Sequence, residues 1–260
     1  KVIVAKVDRH SFTEEDHDHH AHKEEKAPEA SEDAGKAKIN SSMITAQRKV
    51  SHALLTMVQN EGMSIHFMTK GGVEAVVKLL TESEDEEVLS ICLQCVLEAS
   101  KSAEYCKILT EKYIMSNLSG ILDKLNNDHN LLVAKVITSM SYQEALGDSL
   151  VLGGIVGIVQ ALFQTATSYD VFFYLMLTMN NVGPCLTGVD AELCLKILMS
   201  CTKRLDVARF YENACFAVDV FVNFTRILHY SILLCEEGAL PLLIHSLESY
   251  LTKDMMGRIA

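Results

Sequence analysis

Apolar positions recur at i, i+3 and i+4 along nearly the whole chain from about Ile44 to its end, the period of helices that bury one face. Polar stretches interrupt that period: "TESEDEE", "NNDHN", "TATSYD", "CTKRLD" and "ESYLTKD". Ser, Thr, Asp and Asn in such stretches accept hydrogen bonds from the unpaired amides that begin a helix. Long helices are predicted after the first four breaks, as "EEVLSICLQCVLEAS", "NLLVAKVITSMSY", "YDVFFYLMLTMNN" and "YENACFAVDVFVNF". A further long helix, "ITAQRKVSHALLTMVQ", stands ahead of them all.

The pattern also repeats itself. "GGVEAVVKLL", anchored at Val73, returns as "NLSGILDKL" at Leu118, "GGIVGIVQAL" at Ile155, "DAELCLKIL" at Ala191 and "GALPLLIHSL" at Leu240. These anchors are separated by 45, 37, 36 and 49 residues, within the range of two- and three-helix solenoid repeats. A short helix precedes the anchor helix, as in "MSIHFMTKGG", "SAEYCKILTEK", "EALGDSLVLGG" and "YSILLCEEGA". In three of these the junction carries Gly, which adopts the left-handed conformation that closes one helix and turns the chain into the next. One unit of this size cannot cover its own apolar face. Stacked copies sharing a continuous core are therefore expected over residues 41–260.

Residues 1–40 follow a different pattern. "TEEDHDHHAHKEEKAPEASEDAGKAK" is charged and rich in His, Ala and Glu, with no apolar period. It has too little apolar surface to offset its chain entropy and reads as a disordered linker. The opening "KVIVAKV" alternates like a strand remnant, but is read as a short recognition segment or the tail of an upstream element. The chain does not begin with Met, and "LTKDMMGRIA" stops as a new helix begins. It is expected to be a piece of a longer array.

Composition narrows the classes of function. Hydrophobic residues make up 49% of the chain, with three Pro and no Trp, which favours an all-α fold. The formal net charge of −11 argues against nucleic-acid binding, which needs clustered cations, and against adhesion to anionic lipid. The most apolar run, "LVLGGIVGIVQALF" from Leu150 to Phe163, is shorter than the ~20 residues of a membrane span and is expected to be a buried helix. The eight cysteines are scattered along helical segments, so they read as reduced thiols of a cytosolic or nuclear compartment.

The order of short helix, Gly, "GALPLLIHSL"- or "GGVEAVVKLL"-like helix, polar break and long helix resembles the armadillo repeat, with HEAT repeats as near neighbour. "NACFAVDVFVNF" resembles the third helix of that family. The resemblance covers about Ile44 to the end. It implies a right-handed α-solenoid superhelix of three-helix repeats, whose third helices line a groove for an extended or helical partner segment. In peptide-gripping members these helices carry a Trp and, four residues on, an Asn that clamps the ligand backbone. That register falls on His52 and Thr56, Gln94 and Glu98, Val136 and Met140, Leu177 and Asn181, and Asp219 and Asn223. Only Asn181 and Asn223 match the clamp, a departure from nuclear-import receptors. With Glu98 and Asp219 in this set and no Lys or Arg, a basic or neutral partner segment is expected. Lys78 and Lys196 share a position of the second helix, read as a solvated face.

Chemistry was sought and weighed against simpler readings. His17, Asp18, His19, His20 and His22 are of metal-ligating type, but nothing in the linker holds them at fixed angles. Cys92 and Cys95 form a C-x-x-C in mid-helix, away from the helix start that lowers a thiol pKa, and read as small core residues. No phosphate loop, nucleophile elbow or zincin motif occurs in the sequence. The expected function is a non-enzymatic protein-binding scaffold within a larger cytoplasmic assembly, of which cytoskeletal and ciliary types are examples, with no cofactor, no nucleic acid and no membrane. The alternatives are a cargo adaptor of nuclear-import type and a regulatory domain of an enzyme encoded outside this chain.

Overall fold

The computed structural model describes residues 30–204, 211–226, 228–245 and 248. The chain divides into two units at Ser41 and Ser42. Of the first unit, only the helical residues 30–41 are described; the remainder of the expected linker, with "KVIVAKV" and the His cluster, lies outside the described residues. Among the described residues all regular structure is helical.

In chain order the α-helices are α1 (Ala30–Gln59), α2 (Glu61–Thr69), α3 (Gly72–Glu82), α4 (Glu86–Ala99), α5 (Ala103–Glu111), α6 (Ile114–Ile121) and α7 (Asn127–Ser141). They continue with α8 (Gly147–Leu152), α9 (Ile155–Thr165), α10 (Tyr169–Val182), α11 (Gly188–Arg204), α12 (Tyr211–Thr225) and α13 (Leu228–Glu236). The run Leu150–Phe163 is divided between α8 and α9, broken at the Gly junction that the repeat pattern marks. α8 and α9 meet at a bend of 76° between Leu152 and Ile155. Ile155, Val156, Ile158, Val159 and Leu162 of α9 are in the core. No single helix among the described residues is long and apolar enough to cross a membrane.

At two of the breaks a polar side chain caps the helix that follows, whereas Ser168, before α10, makes no side-chain cap bond. Asp85 accepts from the Val88 amide at 3.1 Å and begins α4. Asn126 Oδ1 accepts from the His129 amide at 3.0 Å, and the Asn126 amide donates to His129 Nδ1 at 3.5 Å, a reciprocal cap for α7. His129 is buried, and its Nε2 also bonds the Glu86 carbonyl at 3.1 Å, tying the start of α7 to the start of α4.

The corners between short and anchor helices share one conformation. Gly71, Gly154, Gly188 and Gly238 have φ of 91, 96, 53 and 83°. Each lies just before an anchor helix or, for Gly188, at its first residue, where a residue without Cβ turns the chain at low cost. Before α6 the same place is taken by Tyr113, with φ of 56°.

In the second unit the packing follows sequence order. α4 packs on α7, α7 on α10 and α10 on α12; in parallel α3 packs on α6, α6 on α9 and α9 on α11. Between the two rows α3 packs on α4, α9 on α7 and α10, and α11 on α10. One hydrophobic cluster runs from Leu54 to Ala239. The anchors Val73, Leu118, Ile155 and Ala191 are buried in it, whereas Leu240 is exposed and its neighbour Ala239 takes the buried place.

Candidate interaction face and pocket

The outward turns of the long helices are a mixed polar and apolar surface. His52 on α1 and Asp219 on α12 are exposed; Gln94 on α4 and Leu177 on α10 are half-buried. One turn on, Thr56 is exposed, and Glu98, Asn181 and Asn223 are half-buried. For α7 the sequence register is wrong by one residue. Val136 and Met140 are fully buried, and Lys135 and Ser139 hold the outward positions. α7 is apolar on nearly every side because α4, α9 and α10 all pack on it, so its hydrophobic period marks no unique outer face.

That correction changes the charge of the row. Lys135 adds a cation to the row that holds Glu98 and Asp219, and its Nζ stands 5.8 Å from the centre of the Tyr174 ring, a cation–π contact. Glu98 is bonded to Lys101 at 2.6 Å. The surface is therefore of mixed sign. Lys78 and Lys196 are exposed on α3 and α11.

At the α1 end, Arg48 forks onto Asp85, with Nε–Oδ1 at 3.0 Å and Nη2–Oδ2 at 2.7 Å, and its Nη1 reaches Glu87 at 2.7 Å. His52 Nε2 lies 3.3 Å from the other Glu87 oxygen. The Arg48 guanidinium holds the Asp85 carboxyl below its ordinary range. Thr56 is turned back onto its own helix, donating to the His52 carbonyl.

Along α7, α10 and α12 the second outward turn bridges to the preceding long helix each time. Ser139 donates to the Ser100 carbonyl at the end of α4 at 3.0 Å. The Asn181 Nδ2 donates to Ser141 Oγ at 3.0 Å, and the Asn223 Nδ2 donates to Asn180 Oδ1 at 2.7 Å. One layer deeper, the Thr138 and Thr178 hydroxyls bond each other at 2.8 Å in the buried α7–α10 seam. The two Asn singled out by sequence thus serve the stack itself. Their second amide hydrogen and their carbonyl oxygen remain chemically suited to a peptide backbone.

These ends of α7, α10 and α12 enclose a pocket of about 600 Å³. Its walls include Tyr142, Glu144, Asn180, Asn181, Asn223 and Arg226. Asn180, Tyr142, Glu144 and Arg226 were not found from sequence. They come from separate segments, and only the stacking of the helix ends brings them to one place. Asn181 and Asn223 are the only sequence-chosen residues that the pocket unites; His52, Thr56, Gln94, Glu98 and Asp219 lie on the face outside it.

Five of the seven thiols among the described residues belong to the interior, whereas Cys185 is half-buried and Cys235 exposed. Cys92, Cys95, Cys106, Cys194 and Cys201 are buried, and burial pushes the Cys92, Cys194 and Cys201 thiols up to about 12 and that of Cys106 to about 11. Such thiols are protonated at neutral pH and poor nucleophiles. Among the described residues no group of three or more His, Cys, Asp or Glu is placed to hold a metal ion. Comparison of the chain with protein-family models, curated proteins and solved structures finds no match.

Proposed function

We propose that this chain is a non-enzymatic protein-interaction scaffold, an armadillo-like right-handed α-solenoid whose long helices present one face to a partner segment. The observation that carries the reading is the order of packing: α4, α7, α10 and α12 follow one another side by side, and α3, α6, α9 and α11 do so in parallel. Such an arrangement repeats one surface along a line, as an extended or helical partner requires. The outward turns suit contact. Leu131, Phe173, Tyr174 and Leu177 are half-buried, next to carboxamides and charged groups, a mixture typical of non-obligate interfaces. The setting we propose is a larger cytoplasmic assembly.

A photo-crosslinking amino acid placed at Gln94, Lys135 or Leu177 tests this in cells. Protein adducts are expected from these positions and not from Lys78 or Lys196 on the anchor helices. Equal adducts from both sets, or none from the long-helix face, would remove the proposal.

A further inference from the structure

The pocket at the ends of α7, α10 and α12 has a composition that points to one chemical group. Asn180 Oδ1 accepts from the Asn223 amide, which fixes the orientation of its carboxamide and leaves both Nδ2 hydrogens to donate to a ligand. Asn181 keeps one N–H after its bond to Ser141. Arg226 is exposed on the pocket wall and makes no ion pair among the described residues. Donors and a cation therefore converge here. Among the described residues Glu144 is the one carboxylate on the wall. It disfavours a free, multiply charged anion and accepts from N–H groups beside the ligand.

We infer that this pocket takes a carboxylate side chain of an extended partner peptide, with Arg226 as its counter-ion, Asn180 as donor and Glu144 facing the flanking backbone amides. The inference rests on the scaffold reading and adds to it the chemistry of one subsite. A guanidinium forks onto a carboxylate with two parallel bonds, giving orientation as well as energy. A volume of about 600 Å³ accommodates such a side chain with its adjoining peptide units.

The test uses the full chain as bait for a displayed random-peptide library. The wild type is expected to enrich peptides with Asp or Glu at one fixed position, and Arg226→Glu to lose that preference. A synthetic peptide from the enriched set then enters a double-mutant cycle. Replacing its acid by the amide, or Arg226 by Ala, is expected to weaken binding by about tenfold or more, and both changes together no further. Inorganic phosphate is expected not to compete beyond the effect of chloride at equal ionic strength. Peptides enriched without an acidic position, enrichment unchanged in Arg226→Glu, additive losses in the cycle, or competition by phosphate would each overturn the carboxylate subsite and leave the scaffold reading standing. If no peptide is enriched at all, the scaffold reading falls, and this inference with it.

Discussion

Tyr113 and Gly154 stand at the same corner of successive units, before α6 and before α9, yet only one of them is suited to it. Gly154 has φ of 96°, and a Cβ built there meets nothing within 4 Å. Gly154→Ala therefore isolates backbone strain from steric clash, and should cost about 1 kcal/mol in urea melts. Tyr113 carries the strain already, at φ of 56°, and its side chain is 75% exposed. Tyr113→Gly should raise stability by roughly 0.5 kcal/mol, the gain from relieved strain exceeding the added chain entropy. A loss on Tyr113→Gly would mean that the ring holds something at the surface. Asp85 offers a second test, because it is both the cap of α4 and the partner of Arg48. Its carboxyl titrates below the ordinary range in the folded chain. The contribution is therefore complete above the unfolded pKa and drains away as pH falls through the folded one. Asp85→Asn keeps a good cap and removes the charge. Relative to this variant, the wild type should hold an advantage of under about 1 kcal/mol at pH 7, since Arg48 is 45% exposed. Melts between neutral and acidic pH should show that advantage vanish.

Among the elements, the long helices explain which parts of the architecture can be read from residues alone. α4, α10 and α12 declare themselves, because Glu, Gln, Asn and Asp mark their outer turns and Asp85 marks a start. The Gly at three corners marked the junctions, and Tyr113 hid a fourth by doing the work of Gly without looking like it. α7 resisted for a different reason. Leu131, Leu132, Val133, Val136 and Ile137 leave no polar stripe to fix its rotation, and only packing on three sides decides that Lys135 faces out. The pocket was illegible for a further reason: Arg226 and Asn180 mean nothing separately until the ends of α10 and α12 lie side by side. Polar bridges between those ends are the element-scale glue. Asn181→Ala and Asn223→Ala should each lower stability by about 1 kcal/mol, the usual net value of a hydrogen bond. The two bridges have no partner in common, yet both line one pocket. Denaturation of the double variant measures whether they couple: near-additive losses mean independent bridges, and a deficit means that the pocket wall acts as one network.

For the second unit as a whole, the question is whether its core behaves as one body or as neighbours leaning on neighbours. The hydrophobic cluster is continuous from Leu54 to Ala239, so continuity alone does not decide. The order of packing does make a prediction. α11 packs directly on α9, whereas α4 packs on α3 and α7. In a stacked array, stability is a sum of unit and nearest-neighbour terms, and damage at one seam is felt most by the adjoining unit. Ile158 is fully buried in α9, and Ile158→Ala should cost about 2–5 kcal/mol. The interior thiols report where that loss is felt. Cys92 lies on α4, and Cys194 and Cys201 lie on α11; burial keeps all three protonated and out of reach. Exposed Cys235 serves as the always-reactive reference. Pulsed alkylation across a urea series, read by mass spectrometry, should give one transition for the wild type. In Ile158→Ala the α11 thiols should open at lower urea than Cys92. An equal shift at all three thiols would instead describe an all-or-none globule, and the stacked architecture would no longer account for the core.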